Sequence, residues 1–127
     1  MGEIQIRVRY AETDQMGFLH HANFLVYFET GRTELLRSRG LTYKDLESQG
    51  NLLVVVRAQC RYLRPARYDD LLVVRTTVVR ATGGRIDHRY EVLRDGVLLA
   101  EGETTLACVD TAGKLRRIPP LLRSTDF

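Results

Sequence analysis

The sequence predicts one α+β domain over 1–127, in which a curved, mostly antiparallel sheet wraps around a single long helix. Three observations predict this class. A strand pattern precedes the helical pattern, four longer strand patterns follow it, and short turn sequences join those four. Strands that are segregated from the helix in this way favour an antiparallel sheet. The length, with 44% apolar and 28% charged residues, is typical of one globular domain.

The spacing of the apolar residues changes from the period of a strand to that of a helix near residue 22. Ile4, Ile6 and Val8 alternate with polar residues and predict a half-buried first strand. A long helix over about 22–39 is then indicated by the helical spacing of Phe24, Tyr27, Phe28, Gly31, Leu35 and Leu36. Gly40 is the expected C-cap of this helix.

Beyond this helix the pattern is mostly that of strands. Thr42, with Asp45 three residues later, resembles a capping box, so a short second helix is expected to begin there. Segments rich in Val, Leu, Thr and Tyr then predict four strands, at 52–63, 71–81, 85–94 and 97–110. A last short strand is expected around 115–118.

Pairs of turn-forming residues join the later strands. Gly83-Gly84 and Asp95-Gly96 are expected to form two-residue hairpin turns, because both pairs tolerate the positive φ of a type I′ turn. One helix is too short to cover a sheet of five strands. The exposed sheet edge is therefore expected to pair with a second copy of the chain, with a homodimer as the minimum unit.

Several kinds of chemistry are not indicated. The chain has no Gly-x-Ser-x-Gly, Walker A or Gly-x-Gly-x-x-Gly motif. Cys60 and Cys108 are expected to be buried thiols, and neither they nor His20-His21 have the spacing of a zinc site, so no metal or cofactor is expected. The net charge of +3 permits nucleic-acid binding without indicating it. No membrane span or signal peptide is indicated, and the cytoplasm is the expected location.

The chemistry that remains is a carboxylate just ahead of a helix N-terminus. The first N–H groups of a helix have no intrahelical acceptor and can stabilise the oxyanion that forms when a carbonyl is attacked. Asp14, in a loop that Gly17 allows to fold back, could attack that carbonyl or deprotonate a water molecule. Thioesters suit this arrangement, because a thiolate leaves without a strong general acid.

The same residues also have structural interpretations, which local patterns leave open. An Asp in a turn commonly accepts hydrogen bonds from nearby backbone N–H groups, and this reading applies to Asp14. Glu12 is more simply a solvated or turn-bonding residue. His21 could be a packed histidine that is bonded to a backbone carbonyl.

The stretch RYAETDQMGFLHHANFLVYFETGR resembles the signature of the hotdog-fold acyl-CoA thioesterases of the 4-hydroxybenzoyl-CoA thioesterase type, including the YbgC-like branch. The matching positions are Tyr10, Thr13-Asp14, Gly17, His21, Ala22-Asn23-Phe24, Phe28-Glu29 and Arg32. RYLRPARYDDLL and VDTAGKLRRIP resemble later segments of the same family. The resemblance therefore extends over about 4–120.

This resemblance implies a homodimer or tetramer that hydrolyses an acyl-CoA thioester to the free acid and CoA, at a site between subunits. Asp14 resembles the catalytic carboxylate, and His21 the residue whose backbone N–H polarises the thioester carbonyl. The CoA phosphates would be bound by Arg80, Arg85 and Arg117, with Arg116 as a substitute. A solvated strand face is the alternative explanation of these arginines.

Two positions depart from the family pattern, and two other functions compete with this one. His20 stands where Tyr or Phe is usual, and Gly31 where Ala is common. The Gly would weaken the helix or mark a close contact with the sheet or a partner. A thioesterase for acyl-carrier-protein substrates is one alternative, since a basic surface suits an acidic carrier. A non-catalytic acyl-CoA-binding or interaction protein of the same fold is the other.

Overall fold

In the computed structural model, residues 1–125 are described, and they form one antiparallel sheet around a long helix. In chain order the elements are β1 (Gly2–Arg7), α1 (His21–Ser38), α2 (Tyr43–Ser48), β2 (Leu52–Tyr62), β3 (Leu71–Ala81), β4 (Ile86–Arg94), β5 (Val97–Val109) and β6 (Leu115–Arg116). The strand order is β1-β3-β4-β5-β2, and β6 pairs with the end of β5. Single 3-10 turns lie at Tyr10–Glu12 and Pro120–Leu122.

The predicted α+β class and order of elements are confirmed. β3 has the predicted bounds, and the other main elements differ from prediction by one or two residues at an end. The N-cap of α2 is Thr42, whose hydroxyl accepts the Asp45 N–H at 3.0 Å. Among residues 1–125, no helix is both long and apolar enough to span a bilayer.

One of the two predicted hairpin turns has a different conformation. Asp95 and Gly96 have φ values of 50° and 78°, as a type I′ turn requires. The positive φ predicted for Gly83-Gly84 is wrong, since neither residue adopts it. The Thr82 hydroxyl closes this turn instead, by accepting the N–H groups of Gly84 at 3.1 Å and Arg85 at 3.2 Å.

α1 packs against the sheet along the face that its apolar spacing predicts. Its buried residues are Phe24, Tyr27, Phe28, Gly31, Arg32, Leu35 and Leu36. The Phe28 ring is fully buried and stacks on the Tyr90 ring of β4, with 4.4 Å between centroids. Gly102 of β5 leaves the space that this ring occupies, because a Cβ there would overlap the Phe28 ring. The one charged member of the buried face is Arg32.

Gly31 marks a close contact between α1 and the sheet. A Cβ at this position would lie 2.5 Å from the Thr76 hydroxyl and 3.2 Å from a Val74 methyl, both on β3. Thr76 is only 1% exposed, so its side chain has little room to move. Gly31, which stands where Ala is common in the family, therefore lets α1 lie close to β3.

We expect Gly31→Ala to destabilise the fold, although Ala is the better helix former. The steric overlap should outweigh the gain of about 1 kcal/mol in helix propensity and lower the free energy of unfolding by about 1–2 kcal/mol. Urea unfolding measures this. Adding Thr76→Ala should restore most of the loss, because it removes the overlapping hydroxyl. If Gly31→Ala alone were at least as stable as wild type, α1 and β3 would not be in tight contact at this position.

β2 is an edge strand, and no strand within 1–125 pairs with the outer side of its backbone. Apolar side chains are exposed beside this edge, with Val55 at 48% and Val56 at 59%. Leu25 and Val26 of α1 are also exposed. A long apolar edge of this kind is a template for pairing with another strand.

Candidate active site

The loop between β1 and α1 forms a tight turn around Asp14. Its Oδ1 accepts the N–H groups of Met16 at 2.9 Å and Phe18 at 3.1 Å. The Asp14 N–H donates to the Phe18 carbonyl, and the Gly17 N–H donates to the Asp14 carbonyl. Gly17 has a φ of 81°, which closes the turn. Both bonds to the carboxylate end on Oδ1, and no residue within 1–125 donates to Oδ2.

The same turn occurs a second time in the chain, which shows what part of this geometry is structural. Oδ1 of Asp110 accepts the N–H groups of Ala112 and Lys114, both at 2.9 Å, and Gly113 has a φ of 82°. An Asp-x-x-Gly sequence therefore forms this turn where no catalytic role is expected, which agrees with the structural interpretation of Asp14. What sets Asp14 apart is its position beside a helix N-terminus and a groove.

The first turn of α1 leaves one N–H group without an acceptor. His20 is the N-cap, and its Nδ1 accepts the Ala22 N–H at 3.1 Å. The His20 carbonyl accepts the Asn23 N–H at 2.9 Å. The N–H of His21 lies between these and has no acceptor among residues 1–125. His20, the unexplained residue of the sequence, is thus a helix cap whose ring stacks on that of His21.

Asp14 and His21 lie on the same open groove of about 370 Å³. Its lining is Asp14, Met16, Phe18, Leu19, His21, Phe24, Tyr62, Leu63, Arg64 and Pro65. The Tyr62 hydroxyl donates to the His21 carbonyl at 2.9 Å and so ties the end of β2 to the start of α1. Burial and the neighbouring Cys60 raise the pKa of Tyr62 to about 12, which keeps this hydroxyl protonated.

Glu12 is a structural residue of the site, and its contact with α1 was not predicted from the sequence. It is only 8% exposed, and its Oε1 accepts the Tyr27 hydroxyl and the Arg9 N–H, both at 2.9 Å. Its carbonyl accepts the His20 N–H and the Asn23 side chain. Of the two expectations for Glu12, the solvated side chain is wrong, and the turn bonding is confirmed by the bond from the Arg9 N–H. The only signal in the sequence was Tyr27, whose hydroxyl needs a partner when it is buried.

We expect Glu12→Gln to lower stability at neutral pH but not in acid. Burial by itself raises the pKa of Glu12, but hydrogen bonds from the Arg9 backbone and the Tyr27 hydroxyl outweigh it, so the pKa is lowered. A lowered pKa gives stability that is present above the unfolded value, near 4.5, and is lost as pH falls through the folded value. The variant should lose about 1–3 kcal/mol at pH 7 and converge with wild type in acid.

Unfolding curves from pH 7 to 3 measure this difference. The matched control is Glu34→Gln, since Glu34 is a half-exposed carboxylate on α1 whose one ion-pair partner within 1–125 is Arg37. The control should stay within about 0.5 kcal/mol of wild type. If Glu12→Gln lowered the free energy of unfolding by the same amount at every pH, the charge of the carboxylate would not be what stabilises the loop.

Arg80, Arg85 and Arg117 lie together, but far from Asp14. Arg80 pairs with Asp87 in the β3–β4 register, and Arg85 forms an ion pair with the same Asp87 at 3.1 Å. The Arg117 guanidinium packs against Gly83 in the turn between these strands. Arg116 instead donates to the Gly50 carbonyl at 3.0 Å.

The distance follows from the register of β1 and β3. Arg7, which precedes the Asp14 loop, pairs with Leu71 at the start of β3. The arginines lie at or near the other end of β3, and the strand spans on the order of 30 Å. Within one chain, the structure therefore brings Asp14 and His21 together but not the three arginines.

Metal ligands are not gathered anywhere in the part of the chain that the structure describes. No group of three or more His, Cys, Asp or Glu residues within 1–125 has the arrangement of a metal site. Cys60 and Cys108 are both free thiols. Cys108 is buried and Cys60 half-buried, and burial raises the pKa of both thiols.

Comparison with known proteins gives one consistent family. The model of the thioesterase-like superfamily matches residues 8–125. YneP of Bacillus subtilis, provisionally named an acyl-CoA thioesterase, is 39% identical over 107 residues, covering 84% of this chain and 78% of YneP. The acyl-CoA thioesterase YbgC of Haemophilus influenzae is 35% identical over 114 residues, covering 89% of this chain and 83% of YbgC.

A solved structure agrees with these relatives. The DHNA-CoA thioesterase of Staphylococcus aureus has a TM-score of 0.88 to this chain at 32% identity, and the match covers 91% of this chain and 78% of that one. The resemblance stated from the sequence motifs is thereby confirmed for family and fold. The chain belongs to the thioesterase-like superfamily and is a hotdog-fold enzyme of the thioester hydrolase class.

Proposed function

We propose that the protein hydrolyses an acyl-CoA thioester to a free carboxylic acid and CoA. The observation that supports this most directly is the groove shared by the Asp14 carboxylate and the N-terminal residue of α1, His21. One oxygen of Asp14 and the N–H of His21 have no partners within 1–125. A carboxylate and an unpaired N–H beside one carbonyl supply an attacking group and an oxyanion donor.

Two routes use these groups with the same net reaction. As a general base, Asp14 takes a proton from a water molecule whose oxygen attacks the carbonyl. As a nucleophile, Asp14 attacks the carbonyl itself, and water then hydrolyses the resulting anhydride. In both, the His21 N–H stabilises the oxyanion, and its collapse expels the CoA thiolate. Met16, Phe18 and Phe24 form an apolar wall of the groove that Asp14 and His21 share.

We propose further that the working unit is a dimer formed through β2. The unpaired edge of β2 and its exposed valines favour an antiparallel pair between two copies about a two-fold axis. Such a pair joins two sheets into one and covers the apolar edge. A tetramer would consist of two of these dimers.

In this dimer, the three arginines of one copy would lie near the Asp14 groove of the other copy. Antiparallel pairing brings Tyr62 at one end of β2 next to Leu52 at the other end of the second copy's β2. Leu52 is paired with Val109 of β5, beside β6 and Arg117. The groove of one copy would therefore face the basic end of the other, where Arg80, Arg85 and Arg117 would meet the CoA phosphates.

Replacing Arg80, Arg85 and Arg117 together with Ala is expected to raise KM for an acyl-CoA by about 10- to 100-fold and to change kcat little. These groups lie far from the reacting carbon and would bind substrate and transition state alike. The matched control is Arg89→Ala, an exposed arginine elsewhere on β4. An acyl-pantetheine substrate, which lacks the nucleotide, should be unaffected. A fall in kcat at unchanged KM would contradict the assignment.

Thiol release from a panel of acyl-CoA esters tests the proposed activity. Turnover of at least one ester by wild type is expected, and faster turnover of acyl-carrier-protein esters would instead support the carrier-protein alternative. Binding of CoA esters without any turnover would favour the non-catalytic reading. Two free cysteines agree with a reducing compartment, and we place the enzyme in the cytoplasm.

A further inference from the structure

Arg32 is a buried cation without a carboxylate partner. It is 9% exposed, on the face of α1 that packs against the sheet. No carboxylate within 1–125 forms an ion pair with it. Its guanidinium lies close enough to the Tyr43 and Tyr90 hydroxyls to lower the pKa of both, although burial, the larger effect, raises them. A buried guanidinium that only neutral groups contact keeps most of its desolvation cost.

His88 lines a small cavity together with Arg32 and has an unpaired polar atom. It is 5% exposed, and its Nδ1 is buried with no hydrogen-bond partner among residues 1–125. The cavity of about 20 Å³ is lined by Arg32, Leu35, Leu36, Tyr43, Leu53, Val78, Ile86, His88 and Leu122. Burial and the neighbouring guanidinium lower the pKa of His88 to about 4, so the ring is neutral at pH 7.

The polar groups that line the cavity are mainly hydrogen-bond donors. Arg32 has only donors, the Tyr43 hydroxyl and one tautomer of His88 can donate, and the remaining lining residues are apolar. Among residues 1–125, no carboxylate lines the cavity to accept from these donors. Its volume is enough for one atom or small group of the size of a water molecule.

A groove connects this cluster to the surface. Arg32, Tyr43 and Leu53 line both the cavity and an open groove of about 390 Å³ between α1, α2 and β2. Glu29 and Glu47 also line this groove, beyond ion-pair distance of Arg32. Their charges disfavour the approach of a multiply charged anion such as a phosphate.

We propose that Arg32, Tyr43 and His88 form a binding site for a small monovalent anion, of the size of chloride or a carboxylate group. The anion would accept from the guanidinium and from the tautomer of His88 that carries a proton on Nδ1, an atom without a partner among residues 1–125, and it would neutralise the buried charge. Two sources supply this chemistry, a free ion such as chloride or formate, or a carboxylate at the end of an acyl group. The anion site does not depend on the proposed hydrolysis. Its occupation by the carboxylate of an acyl group does, because that source rests on acyl-CoA being the substrate.

Thermal unfolding in sodium chloride or sodium formate, against sodium gluconate at equal ionic strength, tests the site. Gluconate is too large for the cavity. We expect a saturable rise in Tm with chloride or formate for wild type, no rise for Arg32→Met, and the wild-type rise for the exposed control Arg37→Met. The same Tm in all three salts, or a chloride effect that persists in Arg32→Met, would overturn the proposal.

Should Arg32→Met fail to fold, crystals of wild type grown in sodium bromide decide the question. An anomalous peak within contact distance of Arg32 and His88 supports the site, and water or empty density there overturns it. Arg32→Lys, which keeps the charge but loses the guanidinium fork, should bind the anion more weakly.

The ratio of kcat/KM for an acyl-CoA ending in a carboxylate to that for a neutral one of equal length separates the two sources. A preference of about tenfold that disappears in Arg32→Lys identifies the acyl group as the source. A ratio near one in both proteins, together with the Tm rise, identifies a free ion. An enzyme that turns over neither these esters nor any other of the panel would refute the proposed function and leave the unfolding result standing.

Discussion

Replacing Asp14 with Asn is expected to lower kcat for an acyl-CoA by about 100- to 10,000-fold and to leave the fold intact. Asn keeps an Oδ1 acceptor for the N–H groups of Met16 and Phe18, so the turn persists. What Asn removes is the negative charge and basicity of the group that faces the groove. Asp14→Ala removes the turn bonds as well and should also lose stability. Steady-state thiol release and thermal unfolding on the same samples measure both effects.

Asp110→Asn is the matched control, because Asp110 makes the same turn with Ala112, Gly113 and Lys114. It should resemble Asp14→Asn in Tm and wild type in kcat. If Asp14→Asn kept wild-type kcat, Asp14 would have only the structural role that Asp110 shows. Equal losses of kcat in both variants would point to a general effect of the turn.

Mixing two variants that are each impaired at low substrate is expected to restore activity, because the proposed site draws on two copies of the chain. In a heterodimer of Asp14→Asn with the triple variant of Arg80, Arg85 and Arg117, one site has both an intact Asp14 and intact arginines. Random reassociation at equal amounts should recover about a quarter of wild-type activity at low substrate, since half of the dimers carry one intact site of two.

The control for this experiment mixes Asp14→Asn with Asp14→Ala, which should recover nothing. Size-exclusion chromatography and exchange of tagged chains confirm that heterodimers form. No recovery in confirmed heterodimers would show that Asp14 and the arginines do not meet across the β2 edge. In that case the three arginines form a surface cluster unrelated to the site.

The course of the backbone was predictable because the signals for it are local. The alternation at Ile4 to Val8 and the helical spacing from Phe24 onward each indicate one buried face, and both elements form as predicted. The Thr42 cap and the Asp95-Gly96 turn depend on residues two or three apart, and both are confirmed. Gly83-Gly84 failed because a neighbouring hydroxyl, that of Thr82, offered a competing acceptor.

The site was predictable only in part, because its structural residues act over long separations. The Asp14 turn and the His21 helix start follow from short motifs and lie on one groove. The turn bonding of Glu12 was predictable, but its burial against α1 was not, since its partner Tyr27 is 15 residues away. The role of His20 could not be predicted from the sequence, because its bond from the Ala22 N–H depends on the position of its ring in the fold.

By itself the sequence determined the fold class, the order and bounds of the main elements, and the family resemblance, because periodicity and short motifs encode these locally. Tertiary structure alone decided that Gly31 meets Thr76, that Arg32 is buried beside His88, and that the three arginines lie at the opposite end of the sheet from Asp14. These relations join residues from different strands and helices. They depend on strand register and helix placement, which packing of the whole chain sets.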